Sequence, residues 1–437
     1  MTKLKKVLIV TFDFPPQGGT GVLRVTKFVK YLPQFGWQPI VVCSDTLWNS
    51  DESLARDIAP STPVYRVHRP WPTRRGMHLS SSPGSADSLT LTAWFRKQAV
   101  CFAHRVMIPD PNIVWIPGAI RKCLRVLDEH SCEVVLTTSP PNSVHLIGAW
   151  LKHHKQLPWV ADFRDTWTVE NKVLQGVGKL HLKMQQFAEK QVLDRCDRAI
   201  MTSESLAQAT QTLFGAPIAS KCRTITNGFD SEDFDSTSSV LNKYKFVITF
   251  AGTMLGHRVD NAFPEGLSRA IAQSDVFRNT AQARFIGQFA PEYRRRLEKL
   301  APFVEILPFI PHRDAINIMR RSHLLLLILP PTVLSGMTLT NKFFEYLAAR
   351  RPILAVAPPG IITTLVMEEK LGAVAAPDNP DAIADALLMM FDSVRSQPDD
   401  CHPSRELLAR FERSELTRQL AMLLNEIPPA SVHSEPV

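Results

Sequence analysis

Within Thr338 to Gly360, TLTNKFFEYLAARRPILAVAPPG, a polar turn, a short amphipathic helix and a buried strand succeed one another. That order restricts the chain around it to an alternating α/β architecture. Phe343, Phe344, Leu347 and Ala348 share one face at helical spacing, Pro352 ends the helix, and Ile353 to Ala357 reads as a strand. Glu345 stands off the apolar face. It is no capping-box partner, because the position three residues earlier is Lys342. Two readings stay open. One is a solvated Glu345–Lys342 pair worth roughly a few tenths of a kcal/mol. In the other, Lys342 and the free amides of the helix start face a diphosphate, while Glu345 accepts hydrogen bonds from a ribose diol.

The same alternation runs through the rest of the chain. Lys6 to Phe12 is a β-type run, FDFPPQGGTG follows, and Val22, Val25, Phe28, Val29 and Leu32 then repeat at helical spacing. Gly18, Gly19 and Gly21 remove side chains where backbone amides would approach a phosphate or sugar. Ile40 to Cys43 makes a second strand. Val134 to Thr138 ends in SPPNS and Trp159 to Phe163 ends in Arg-Asp-Thr-Trp, so Ser139, Asn142, Asp162, Arg164 and Asp165 sit where open α/β sheets bind ligands. The plainer alternative is a structural ion pair of Arg164 with Asp165 or Asp162. Ala199 to Thr202 and Arg223 to Thr226 read as further strands, the latter closing with the turn signal NGFD.

A chain of 437 residues exceeds one ordinary core and predicts two domains of about 200 residues each. The polar stretch SEDFDSTSSVLN is the best linker, and strands resume at Phe246 to Ala251, Ala283 to Ile286, Val304 to Leu307, Leu324 to Leu329 and Ile353 to Ala357. The expected division is 1–235, 236–404, an amphipathic helix over 405–425 crossing back onto the first domain, and a flexible tail over 426–437. The fold class is α/β, two doubly wound domains facing each other across a cleft.

Composition bounds the function classes. The apolar runs are strand-sized, far short of the ~20 residues of a spanning helix. Lys3, Lys5 and Lys6 before VLIV imitate a signal peptide, but Asp13 and Pro15–Pro16 interrupt it and a first buried strand is the better reading. Seven scattered cysteines without C-x-x-C spacing argue against a disulfide framework or a zinc site and point to a reducing cytosol. Arg66 to Arg125 carries ten Lys/Arg against two acidic residues, an excess equal to the +8 of the whole chain. Trp71, Trp94, Phe95, Phe102 and Trp115 interleave with it, Ser80–Ser88 reads as a loop, and Leu89 to Ile108 reads as an amphipathic helix. This mixture suits an anionic membrane surface or phosphorylated ligands, or else an ordinary solvated basic face; no nucleic-acid-binding signature accompanies it.

KVLIVTFDFPPQGGTG, TTSPPNSVHLI, WVADFRDTW, ITNGFD, FAGTM and TNKFFEYLAARRPIL, in that order and spacing, resemble glycosyltransferase family 4 over nearly the whole chain. The resemblance implies the GT-B fold of two Rossmann-like domains. It also implies retaining transfer of a sugar from a nucleotide-sugar donor without a bound metal or other cofactor. In it Glu345 corresponds to the ribose-binding glutamate and Gly19, with Gly18, to the loop beside the donor phosphate; Thr253, Ile310, Leu339 and Thr340 are further donor contacts. The family's Arg and Lys after the first strand of the second domain fall near Thr253 and Arg258, which makes Arg258 the leading catalytic cation and Lys342 its helper. Met337 stands where most members have a second glutamate, and Thr138 or Ser139 where many have a histidine; His145, inside the following helix, reads as a packed residue. The Thr-x-x-Lys variant of the glutamate motif resembles a subgroup of cell-surface polysaccharide assembly, with a glycan or lipid-linked acceptor at the cytoplasmic face of the membrane. A sugar-nucleotide 2-epimerase of the same architecture and a non-catalytic nucleotide-sugar-binding protein are the alternatives.

Overall fold

The computed structural model describes residues 4–47, 50–70, 107–169, 177–235, 240–242, 244–255, 262–308, 310–397 and 402–428. The Ser80–Ser88 loop, Arg258, most of the tail and the greater part of the basic segment lie outside them. Of the Leu89–Ile108 helix only Met107 and Ile108 are described, and neither is helical.

The chain forms two compact units, Met1–Thr226 with Leu416–Val437, and Asn227–Glu415. The first contains β1 (Lys5–Thr11), β2 (Trp37–Ser44), β3 (Val64–Val67), β4 (Val134–Ser139), β5 (Trp159–Phe163), β6 (Arg198–Met201) and β7 (Cys222–Thr224). These lie in the order β3-β2-β1-β4-β5-β6-β7, every neighbouring pair parallel. The second contains β8 (Phe246–Met254), β9 (Ala281–Phe289), β10 (Val304–Leu307), β11 (Leu324–Ile328), β12 (Ile353–Val356) and β13 (Gly372–Ala375). Their order is β10-β9-β8-β11-β12-β13, again parallel throughout. Both sheets reverse their direction of growth beside their first strand, the topology of doubly wound nucleotide-binding sheets.

The strands form where the sequence is apolar on both faces, because helices cover both sides of a parallel sheet. Leu324 to Leu327 are all fully buried. In the first unit Val22, Val25, Phe28 and Val29 are the apolar positions of helix Thr20–Tyr31, and Val25, Phe28 and Val29 pack on the sheet together with Leu416, Leu420 and Leu424. Trp115, Ile147 and Trp159 fill the opposite face. Among the described residues no helix is long and apolar enough to cross a membrane.

Some expectations are corrected. β3 and β13 were not apparent, since VYRV and GAVA are four-residue edge strands with only half of their residues buried or fewer. The C-terminal stretch is two helices, Arg405–Phe411 and Arg413–Asn425, broken at Glu412. Phe229 bridges to Glu412 at the break and its carbonyl accepts the Arg413 amide at 2.8 Å, so the backbone there pairs outside the helix. Trp115 is no surface aromatic. It is fully buried, edge-on to Phe12 at 5.3 Å, with its indole N–H donated to the Val67 carbonyl at 3.2 Å.

Asp162 pairs with neither Arg164 nor solvent. Its carboxylate is buried against Arg24, 2.7 Å away, and accepts the Thr138 hydroxyl at 2.8 Å. Arg24 also donates to the carbonyls of Ile225 at 3.0 Å and Thr226 at 2.7 Å. One guanidinium thereby ties helix Thr20–Tyr31, the ends of β4 and β5 and the chain leaving β7. Removing one member of a buried pair leaves an uncompensated charge. Arg24→Met should therefore destabilise the first unit by about 3–5 kcal/mol in urea denaturation followed by tryptophan fluorescence.

Candidate functional site

In the second unit β8 lies at the point where strand order reverses, and ligands of such sheets bind beyond the carboxyl ends of the strands there. The first five residues of β8 are buried, whereas Ala251 and Gly252 are half-buried and Thr253 is exposed. Gly252 has φ +151, and a Cβ on it would collide with Cε and Nζ of Lys342. The Lys342 ammonium stands 4.2 Å from the centroid of the Phe250 ring, a cation–π contact that holds it over the strand end.

Lys342 is the second residue of helix Asn341–Ala349, whose N-cap, Thr340, makes no side-chain capping bond. The Thr340 hydroxyl is buried and has no partner among the described residues. A helix start with amides that no side chain caps, a spare hydroxyl and a fixed ammonium form a set of donors suited to an anion. Tyr346 holds this helix in place: its hydroxyl accepts the Ala251 amide at 3.2 Å and donates to the Leu326 carbonyl at 3.1 Å. Burial pushes its phenol well above the ordinary value, so it stays protonated and keeps that donor.

Glu345 is neither solvated nor paired with Lys342. Only 17% of its side chain is exposed, and its Oε1 lies 2.8 Å from Nε2 of His312. His312 opens helix His312–Arg320, immediately after Ile310 and Pro311. Ile310 and Leu339 are half-buried. Met337 ends the short helix Val333–Met337, and Arg258 lies outside the described residues.

In the first unit Gly18 is buried and Gly19 exposed at the N-cap of helix Thr20–Tyr31, with φ +121 and nothing within 4 Å of a Cβ built there. Gly21 differs from the expectation: its missing side chain makes room for the Arg164 guanidinium, with which a Cβ would collide. Arg164 meets Asp165 at 3.7 Å, and the Asp165 side chain is 67% exposed. Ser139 is fully buried with its hydroxyl unpartnered among the described residues, and Asn142 is half-buried. Asp162, committed to Arg24, is withdrawn from any ligand surface.

His145 is a packed residue. Thr137 Oγ1 accepts the Trp159 indole N–H at 2.8 Å and so donates its own proton to His145 Nδ1, also at 2.8 Å. The imidazole lies against Phe163, ring centroids 4.5 Å apart and planes tilted by 37°, and burial lowers its pKa to about 3, so it is neutral at neutral pH.

Residues 95–233 match the family model for Glycosyltransferase Family 4, and residues 245–393 match that for Glycosyl transferases group 1. The chain is a family 4-like glycosyltransferase. Its fold is GT-B. HepE of Anabaena, solved in complex with UDP-glucose, is similar with a TM-score of 0.66 at 14% identity, over 97% of this chain and 100% of that one. A glycosyltransferase from Rickettsia africae ESF-5 gives 0.61 at 14% identity, over 97% and 98%. Sucrose-phosphate synthase of Thermosynechococcus elongatus gives 0.58 at 15% identity, over 96% and 94%. A comparison with curated proteins gives no match.

For this glycosyltransferase the sequence reading placed Lys342, Thr340 and Glu345 on one helix start but missed His312, Gly252 and Tyr346. The available signals were faint: a glycine at the end of an apolar strand run, and a histidine just after Pro311 at a helix start. Gly252→Ala should displace Lys342 and strain the backbone at a positive φ. The expected cost is about 1–3 kcal/mol in the unfolding transition of the second unit.

Proposed function

We propose that this glycosyltransferase moves a sugar from a nucleotide-sugar donor to a glycan or lipid-linked acceptor, with retention at the anomeric carbon, in the assembly of a cell-surface polysaccharide. The observation that carries the donor half is the seat of Lys342 over Gly252 at the start of the helix that bears Glu345. The solved complexes of HepE with UDP and with UDP-glucose support a nucleoside diphosphate as leaving group.

The donor diphosphate would lie against the helix start, with the amides, the Thr340 hydroxyl and the Lys342 ammonium as its donors, and Thr253 as a neighbouring contact. Glu345, its carboxylate oriented by His312, would accept the two ribose hydroxyls, and Ile310 and Leu339 would border the base. As the glycosidic bond to phosphate breaks, charge accumulates on the diphosphate. Fixed cations there stabilise the transition state more than the ground state. In this reading Lys342 and Arg258 supply that charge and no cofactor is needed. Ser139, Asn142, Arg164 and Asp165 are the acceptor-side candidates. The acceptor would sit at the cytoplasmic face of a membrane, with Arg66–Arg125 contacting anionic lipid.

Glu345→Gln should weaken binding of a nucleotide-sugar by roughly 1–3 kcal/mol in calorimetry, and His312→Ala by about 0.5–1.5 kcal/mol, with folding intact in both. Unchanged affinity in Glu345→Gln would end its assignment to the ribose.

Turnover is followed as nucleoside diphosphate release from a panel of UDP-, GDP- and dTDP-sugars, with and without glycan acceptor. Acceptor-dependent release is expected, falling ~100-fold or more in Arg258→Ala and in Lys342→Ala with smaller changes in donor affinity. An epimerase would interconvert the sugar-nucleotide without acceptor, and a binding protein would release nothing.

A further inference from the structure

Over its first three turns helix Lys179–Arg195 of the first unit is inside out, whereas its last turn buries Val192 and Leu193 in the core. Its inward face carries Gln185 and Glu189, each only 2% exposed, whereas Leu180, Met184 and Phe187 are 74%, 49% and 66% exposed. At about 100° per residue those three side chains fall within an arc of about 60°, opposite Glu189, and form a ridge about 10 Å long.

The inversion is built in, because each inward polar group is specifically satisfied. Gln185 accepts the Trp167 indole N–H at 2.8 Å and donates to the Pro109 carbonyl at 2.9 Å. Glu189 accepts the Thr168 amide at 3.1 Å and the Thr168 hydroxyl. Burial pushes the Glu189 carboxyl up to about 7, the Thr168 donors pulling the other way. Rotating the helix to bury its ridge would carry Gln185 and Glu189 outward and leave their partners, the Trp167 indole N–H, the Pro109 carbonyl and the Thr168 amide and hydroxyl, unpaired in the interior, which costs more than an exposed Leu, Met and Phe. The outward apolar face is thus the one the packing selects.

Lys179, Lys183 and Lys190 are exposed along one flank of the ridge. Asp194 meets Lys190 at 2.6 Å, leaving Lys179 and Lys183 as the basic edge. An apolar ridge with cations beside it matches the boundary of an anionic bilayer, where side chains enter the acyl region and ammonium groups stay among the headgroups.

We propose that helix Lys179–Arg195 lies flat on an anionic membrane and inserts Leu180, Met184 and Phe187 into it. The proposal stands on this helix alone and does not depend on the basic segment Arg66–Arg125.

The test is flotation of the full-length protein with phosphatidylglycerol-containing and purely phosphatidylcholine vesicles, with thermal unfolding as the check on folding. Leu180→Ser/Met184→Ser/Phe187→Ser should lower partition onto anionic vesicles by about 10-fold or more at every salt concentration. Lys179→Gln/Lys183→Gln should lower it by several-fold at low salt only. A separate variant with Arg74, Arg75, Arg96 and Lys97 changed to Gln reads the basic segment, so that either element can fail without the other. Wild-type partition of a folded triple-serine variant would overturn the proposal. So would absence of vesicle binding together with a concentration-dependent dimer that this variant abolishes in light scattering, since the ridge would then be covered by a second copy.

Discussion

The candidate donor site depends on the place of one ammonium group. Lys342 lies over the end of β8 because Gly252 has no side chain, and it stays there because Phe250 offers a ring face 4.2 Å from Nζ. A flexible lysine on a solvated helix end would lose much of its rotamer entropy on meeting a ligand. Here that loss is incurred in folding. The Tyr346 hydroxyl adds the second constraint, joining the Ala251 amide and the Leu326 carbonyl to the helix that carries Lys342 and Glu345. Strand end and helix start are thereby held at a fixed separation, as preorganised electrostatic stabilisation requires.

The first unit is organised around a charge of another kind. Arg24 and Asp162 lie at the carboxyl ends of the strands, where a charged group would be read as part of a ligand surface, yet they are buried and bonded to one another. Their partners are structural: the Thr138 hydroxyl and the carbonyls of Ile225 and Thr226. Two neighbouring residues, Asp162 and Arg164, thus have opposite fates. The first closes a buried network, and the second extends over Gly21 with 17% of its side chain exposed.

Much of the fold was legible because its signals are local. Continuous apolar runs with helical repeats between them specify parallel strands and crossovers, and eleven of the thirteen strands among the described residues appear within a few residues of where those runs stand. The four-residue edge strands β3 and β13 escaped, since an edge strand is only half-covered and needs no apolar run. The C-terminal break at Glu412 escaped because it is enforced by pairing with Phe229, far away in sequence.

By itself the sequence determined the alternating architecture, the helix that carries Lys342 and Glu345, and the spacing that resembles family 4. All of these follow from residues within a turn or a strand of one another. Only the tertiary structure decided which charges meet. His312 rather than Lys342 takes Glu345, Arg24 rather than Arg164 takes Asp162, and Gln185 and Glu189 turn inward while Phe187 turns out. Each choice joins residues tens to more than a hundred positions apart, or sets the rotation of a whole helix. Local propensity is indifferent to such choices, which are made by the cost of leaving a buried polar group unpaired.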